Sequence, residues 1–389
     1  MSQRLRLVIL GMMGRCPFGG QTWLYLNWLR AFSRLGHEVW YVEDDTVWPY
    51  DPVRNTVTDD VSYAVTHIAR SLAGIGLEDR WAYRLAGSGQ PSHGLDDKGI
   101  DELYRTCDAL LNVVGATDIR DEHKPARFRV YLECDPVLAE LRLANGDEGT
   151  RIDFAAHHAV ATYGENYGAG DCGVPLNGIT YVKTRQPVDL DLWPMVYTPD
   201  APDFTTIGNY RHGGNDVEYQ GRIYTWSKHH QWERFIDLPR CTPQPIELAM
   251  TMTEEDRAHL ESAGFRVVSP FAMSLDPFQT YPDYFHRSRA EVTVAKDQNV
   301  SLRSGWFSER DACYLATGKP VVAQDTGFGN ILPTGSGLFA YTTTEEAVAA
   351  IAAINADYRR HCLAARAIAE EFFAAEKVGA RLLADLGLA

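Results

Sequence analysis

The stretch SLRSGWFSERDACYLATGKPVVAQDTGFGNILPTGSGLFAY, residues 301–341, decides the fold. It reads as a strand end, a glycine turn at Gly305, a helix over residues 308–316, a turn at Gly318 and a strand over residues 320–323. A second loop, Asp325-Thr326-Gly327-Phe328, leaves the carboxyl end of that strand. Ligands of open α/β sheets bind outside the carboxyl ends of strands, and a helix N-terminus placed there is an anion site. On this reading Ser304 and Gly305 let backbone approach a phosphate, and Ser308 caps the helix or bonds an oxygen. Arg303 and Arg310 supply cationic forks. The combination predicts a nucleotide-diphosphate site.

The same rhythm continues on both sides. Strands are expected over residues 204–207, 246–250, 266–268, 291–295 and 337–341, with helices over 254–263, 345–355 and 358–386. Thr343 and Glu346 fit a capping box. Residues 184–203, TRQPVDLDLWPMVYTPDAPD, carry four prolines and no periodicity, the best boundary in the chain. Ahead of it an apolar run at 5–10, the loop GMMGRCPFGG, a helix over 21–35 closed by Gly36, and the strand HEVWYVE form a βαβ unit, hence a parallel sheet. Further strands fit residues 109–114, 129–132 and 159–163. Residues 45–95 read as a polar excursion over a cleft, with a helical piece near 64–72. The expected fold is α/β: a Rossmann-like domain over 1–185, a linker over 186–203 and a second such domain over 204–389. The last helix is expected to pack back on the first domain.

Composition narrows the partners. Hydrophobic residues make up 45% and charged residues 23%, a globular balance. A net charge of -15, from 37 basic and 52 acidic residues, argues against nucleic acid as the main partner. The seven cysteines form no CxxC pair, and neither His157-His158 nor His229-His230 has partners at ligand spacing, so no metal site is expected. Asp189 to Asp191 reads as structural. No apolar run reaches the ~18 residues of a membrane span. The N-terminal run lacks a cleavage site, and a cytoplasmic protein is expected.

GKPVVAQDTGF, residues 318–328, resembles the A-x-G-x-P-V-V-A-x-D-x-G-G run of group-1 glycosyltransferases, and LFAYTTTEEAVAAI, residues 338–351, resembles the segment after that run in the same enzymes. SGWFS, residues 304–308, is similar to the H-C-G-W-N-S core of inverting enzymes. Arg310 matches the arginine of the spore-maturation-type branch, and QPVDLDLWP sits where such proteins often carry an N-G-V-D linker. The resemblance implies a GT-B fold with a nucleotide-sugar donor in the second domain and an acceptor, expected to be a small molecule, against the first. The donor is a co-substrate, and no cofactor is implied. Besides the residues above, donor contacts fall on Gly19, Gly20, Asn209, Arg211, Lys228 and Lys296. The E-x7-E pair of retaining enzymes is absent: Cys313 stands at its second position and Gly305 near its first.

Transfer needs a base poised at the cleft. Asp118 and His123, in the loop 115–123 after a strand, are the first choices, and Glu165 in YGENYG is the third. An epimerase or hydrolase of nucleotide sugars, or a two-domain small-molecule binder, are the alternatives. A dinucleotide oxidoreductase is disfavoured because GMMGRCPFGG lacks G-x-G-x-x-G.

Overall fold

The computed structural model describes residues 4–388. In its first half, β1 (Arg6–Leu10), β2 (Glu38–Asp45), a small hairpin of β3 (Tyr50–Asp51) and β4 (Thr56–Val57), β5 (Trp81–Leu85), β6 (Ala109–Val113), β7 (Arg129–Glu133), β8 (Ala159–Thr162) and β9 (Tyr181–Lys183) follow in order. All but the hairpin join one sheet, order β5-β2-β1-β6-β7-β8-β9, parallel throughout. The central β1 is apolar on both faces because helices cover both.

The second half holds β10 (Phe204–Asn209), the hairpin β11 (Val217–Tyr219) and β12 (Arg222–Tyr224), β13 (Ile246–Thr251), β14 (Arg266–Val268), β15 (Ala290–Thr293), β16 (Val321–Gln324) and β17 (Leu338–Tyr341). Its parallel sheet runs β14-β13-β10-β15-β16-β17. The chain is thus α/β with two separate Rossmann-like sheets. Among the described residues no helix is long and apolar enough to cross a membrane.

One face of the junction between the halves is packed solid. The helix Gly19–Arg34 buries Trp23 and Trp28. Trp193 of the connecting segment lies 4.9 Å from the Trp23 ring and 5.0 Å from that of Phe285 in the second half. Aromatic pairs of this geometry add to their burial, so the connection is a fixed joint on this side.

Four readings of the sequence need correction. Residues 45–95 include β5, whose partly buried edge position gives it mixed polarity. β9 was missed for the same reason. Residues 301–302 end a helix, Asp297–Leu302, and not a strand. The stretch 358–386 is broken into Tyr358–Ile368, a wide turn at Ala369–Phe373, and the helix Ala375–Asp385. The break has a cause: the Val188 amide donates to the Phe373 carbonyl at 2.7 Å, and the Ala375 amide donates to the Val188 carbonyl at 3.0 Å. Beyond it Gly379 lies on Ala31, so the last helix packs on the first helix of the chain.

Candidate active site

The carboxyl ends of β1, β6 and β7 face those of β10, β13 and β15 across a cavity of about 630 Å³. Strand ends of parallel sheets leave amides and loop side chains free to meet a ligand. The first domain contributes Gln21, Tyr131, Glu133 and Asp135; the second contributes Asn209, Trp226, Lys228, Lys296 and Arg310.

The second-domain wall is cationic. Lys296 ion-pairs with Asp135 across the cleft, and its ammonium lies 3.0 Å from the centre of the Trp226 ring. Burial lowers its pKa, against the pull of Asp135. Lys228 lies 5.4 Å from the Trp306 ring and pairs with no carboxylate among the described residues. Burial first, and then the neighbouring charge of Arg310, bring its ammonium down to about 7. Its charge is left without a carboxylate partner among the described residues of the cavity wall.

Arg310, one residue into its helix, is held from several sides. Its Nε pairs with Glu291, Nη1 donates to the Ile207 carbonyl at 3.1 Å, and Nη2 donates to Thr293 Oγ1 at 2.7 Å and to Asp311 at 2.9 Å. With a side chain 12% exposed it anchors the cavity floor and presents one remaining N–H beside Gly208.

Of the residues singled out from sequence, Asn209, Lys228, Lys296 and Arg310 meet in this cavity. Others do not reach it. Arg303 takes a left-handed conformation, φ 49°, at the end of its helix, which turns it to Asp171 and Asp325. Gly305 is needed for a different approach: a Cβ there would lie 2.5 Å from the amide nitrogen of Asn166, and its own amide donates to Thr326 at 2.7 Å. Ser304 bonds Asn299. Ser308 caps the helix Glu309–Ala316, whose entry is covered by the amide of Gln186 donating to the carbonyls of Phe307 and Ser308. Asp325 accepts from the Gly327 amide, Thr326 bonds the Trp306 carbonyl, and Phe328 packs on Phe307. Those DTGF contacts stay within the second domain, but a Cβ at Gly327 would lie 2.9 Å from the Asn166 side-chain nitrogen, so the glycine turn and Gly327 together dock the domains on each other. Gly19 and Gly20 serve the same end, admitting the ring of Tyr281. Arg211 forks onto Asp256 with both contacts at 2.7 Å, outside the cavity.

The three candidate bases also lie elsewhere. His123 is 0% exposed, with Nε2 on Asp44 at 3.1 Å and Nδ1 accepting from the Arg120 amide at 2.9 Å. Its partner is 79 residues away in sequence, which no local pattern announces. Asp118 is exposed in a shallow neighbouring pocket with Arg15, Asp45 and Arg120. Glu165 pairs with Arg185 at 2.6 Å, and burial raises its pKa.

Sequence reasoning missed Gln21, Glu133 and Asp135. The usable signal was ECDP directly after the expected strand 129–132, two acidic residues at a carboxyl end ahead of a proline.

Because Gly305 admits Asn166, Gly305→Ala is expected to push the Gly164–Tyr167 loop away and to cost about 2–4 kcal/mol, from overpacking and positive φ together. A melting-temperature comparison with wild type checks it; an unchanged value counts against this docking role.

No family model and no curated protein sequence matches the chain. Solved structures do. HepE from Anabaena, determined with UDP and glucose, is 14% identical over 99% of this chain and 100% of its own, with a TM-score of 0.59. An alpha-glucosyltransferase in complex with UDP and DNA is 11% identical over 99% and 100%, TM-score 0.62. Sucrose-phosphate synthase from Thermosynechococcus elongatus is 12% identical over 97% of each chain, TM-score 0.54. Two Rossmann-like sheets facing each other across a cavity, superposing on these proteins over nearly the whole length, give the chain the GT-B glycosyltransferase fold.

Proposed function

We propose that the protein transfers a sugar from a nucleotide-sugar donor to an acceptor. The observation that carries this reading is Lys228, an unpaired ammonium beside Lys296 and Arg310 at the strand ends of the second sheet. That wall suits a diphosphate. HepE, of the same fold, has been determined with UDP-glucose, which supports a nucleotide sugar.

The chemistry asked of the residues is modest. The bond from the sugar's anomeric carbon to the diphosphate breaks, the diphosphate leaves with the electron pair, and an acceptor oxygen bonds the carbon as its proton passes to the leaving diphosphate oxygen. Lys228 and Lys296 meet the charge developing on the leaving oxygen, with Arg310 behind them. Such preorganised cations act most strongly in a site closed to water. Holding donor and acceptor on opposite walls supplies the orientation.

Thermal-shift titration with UDP, GDP, dTDP, CDP and ADP tests the reading. One of them is expected to stabilise the protein by about 2.7 kcal/mol at a hundred times its Kd. No shift with any of the five defeats it.

Metal-independent transfer, with no cofactor, is part of the proposal, because the three cations can take the role a divalent ion plays elsewhere. Among the described residues no three His, Cys, Asp or Glu side chains are grouped to hold an ion. Turnover is expected to survive chelation. Loss on chelation with recovery on added metal is the contrary result.

A further inference from the structure

We propose that the first-domain wall of the cavity is an acceptor subsite built for an uncharged polyhydroxyl group, such as a saccharide, and not for an anion or a flat aglycone; the inference rests on the transferase reading and names its acceptor class.

Three buried oxygens on this wall have no hydrogen-bond partner: Gln21 Oε1, Glu133 Oε1 and Asp135 Oδ1. Buried polar atoms are almost always paired, and leaving an acceptor unmet is costly, so a group of them on one cavity wall calls for a ligand that donates several hydrogen bonds. Glu133 is the most confined, 4% exposed, with its other oxygen accepting from the Thr162 hydroxyl at 2.6 Å. Hydroxyls of a sugar ring are donors of the required number and spread.

The backbone is also committed to this arrangement. Val137, in the same loop, has φ 93°, a conformation a β-branched residue avoids. It is held there by its amide, which donates to Glu140 Oε2 at 2.9 Å and to the Tyr167 hydroxyl at 3.0 Å. Strain of this kind persists only where surrounding contacts enforce it, and it gathers at binding sites.

Charge argues for a neutral ligand. The Asp135 carboxylate is already matched by Lys296. Burial first, and then the neighbouring Glu140 carboxylate, push the Glu133 carboxyl upward, so a further negative charge beside it is disfavoured. Arg142, on the same wall, donates to Asn215 Oδ1 at 3.0 Å. An added carboxylate on the ligand would meet the Gln21, Glu133 and Asp135 oxygens, acceptors that have no proton to give it.

Shape completes the argument. The rings of Tyr131 and Phe154 stand 4.8 Å apart and tilted by 52° beside Leu138. They offer an apolar corner to the C–H face of a sugar, and no parallel slot for a flat ring.

Calorimetric titration of the full chain with maltose, galacturonate and 4-nitrophenol tests this, with the stabilising nucleoside diphosphate bound and again without it. Maltose is expected to bind at least tenfold more tightly than the other two. Gln21→Met and Glu133→Gln are each expected to weaken maltose about fivefold to tenfold while leaving the diphosphate Kd within twofold. Gln21 lies at the cavity edge, so its substitution stays informative if Glu133→Gln folds poorly. The subsite is refuted if galacturonate or 4-nitrophenol binds as well as maltose, if none of the three binds, or if the folded variants leave maltose affinity unchanged. Maltose binding with no response to any diphosphate keeps the subsite and sinks the transferase reading. A diphosphate response with no saccharide binding does the reverse.

Discussion

The affinity of the protein for its nucleoside diphosphate is expected to fall about tenfold per pH unit above pH 7, and to level off below it. The cause is Lys228, whose ammonium is brought down to about 7 by burial and by Arg310. The bound anion favours the charged lysine and raises its pKa again. Above pH 7 the free protein holds neutral Lys228, so binding must take up a proton, and each further unit of pH opposes it by a factor of about ten. Below pH 7 the lysine is already charged, and the dependence disappears. Calorimetry in two buffers of different ionisation enthalpy should show uptake of about one proton at pH 8. Lys228→Met should abolish the slope and weaken binding by about 10- to 150-fold, the worth of a charged hydrogen bond. Lys228→Arg should remove the slope but keep much of the affinity, because a guanidinium stays charged throughout. A wild-type affinity flat from pH 6 to 9 would falsify this assignment.

Arg310→Ala is expected to cost about 3–5 kcal/mol of stability, the range for breaking one side of a buried ion pair. Glu291 and Asp311 are both buried against it, and Ile207 and Thr293 accept from it as well. Burial pushes the Glu291 carboxyl upward and Arg310 opposes that, so without the arginine Glu291 takes up a proton and the floor of the cavity loses its fixed charge. Arg310→Lys should recover little, since a single ammonium cannot reach partners on several sides of a planar fork. Urea denaturation of the three proteins measures this. A loss under about 1 kcal/mol in Arg310→Ala would show that the pair is merely superficial.

Glu291→Gln separates the two roles. The amide keeps the volume and removes the charge, so it is expected to leave Lys228 more strongly opposed by Arg310 and to move the break in the pH profile below 7. An unmoved break would detach Arg310 from the tuning of Lys228.

Much of the fold is readable from local pattern. Short, mostly apolar runs next to glycine mark β1, β6 and β16, because strands buried on both faces are predominantly apolar. The capping box at Thr343 and Glu346 is present as read. Besides the two short hairpins, the strands that escaped are β5 and β9, which lie at sheet edges, where one flank meets solvent and the pattern blurs.

The site was less legible. Lys228 and Lys296 were visible as basic residues next to predicted strands or helices, and they do meet in the cavity. Arg303 and Gly305 lie in the same loop region yet meet Asp171 and Asn166 of the first domain, and Asp325 is taken up by Arg303; for Arg303 it is the left-handed conformation at the end of its helix that sets its direction. A sequence motif registers residue types and spacing; it does not register which way Arg303 points. His123 was a sound choice by position but is sequestered by Asp44 and Tyr104, contacts made through distant strands and helices.

The bond between Val188 and residues 373–375 has a consequence for how the protein is made. The last helix, Ala375–Asp385, forms part of the outer layer of the first domain, against the helix Gly19–Arg34. During synthesis the sheet ending at Lys183 leaves the ribosome long before that helix is translated. At about 5–20 residues per second the interval is roughly 10–40 s. For that time Ala31 and its neighbours are uncovered, and the nascent chain exposes an apolar strip that no later residue has yet closed. A fragment cut at the linker would keep this strip uncovered, and residues 369–385, in cis or as a separate peptide, are what would close it.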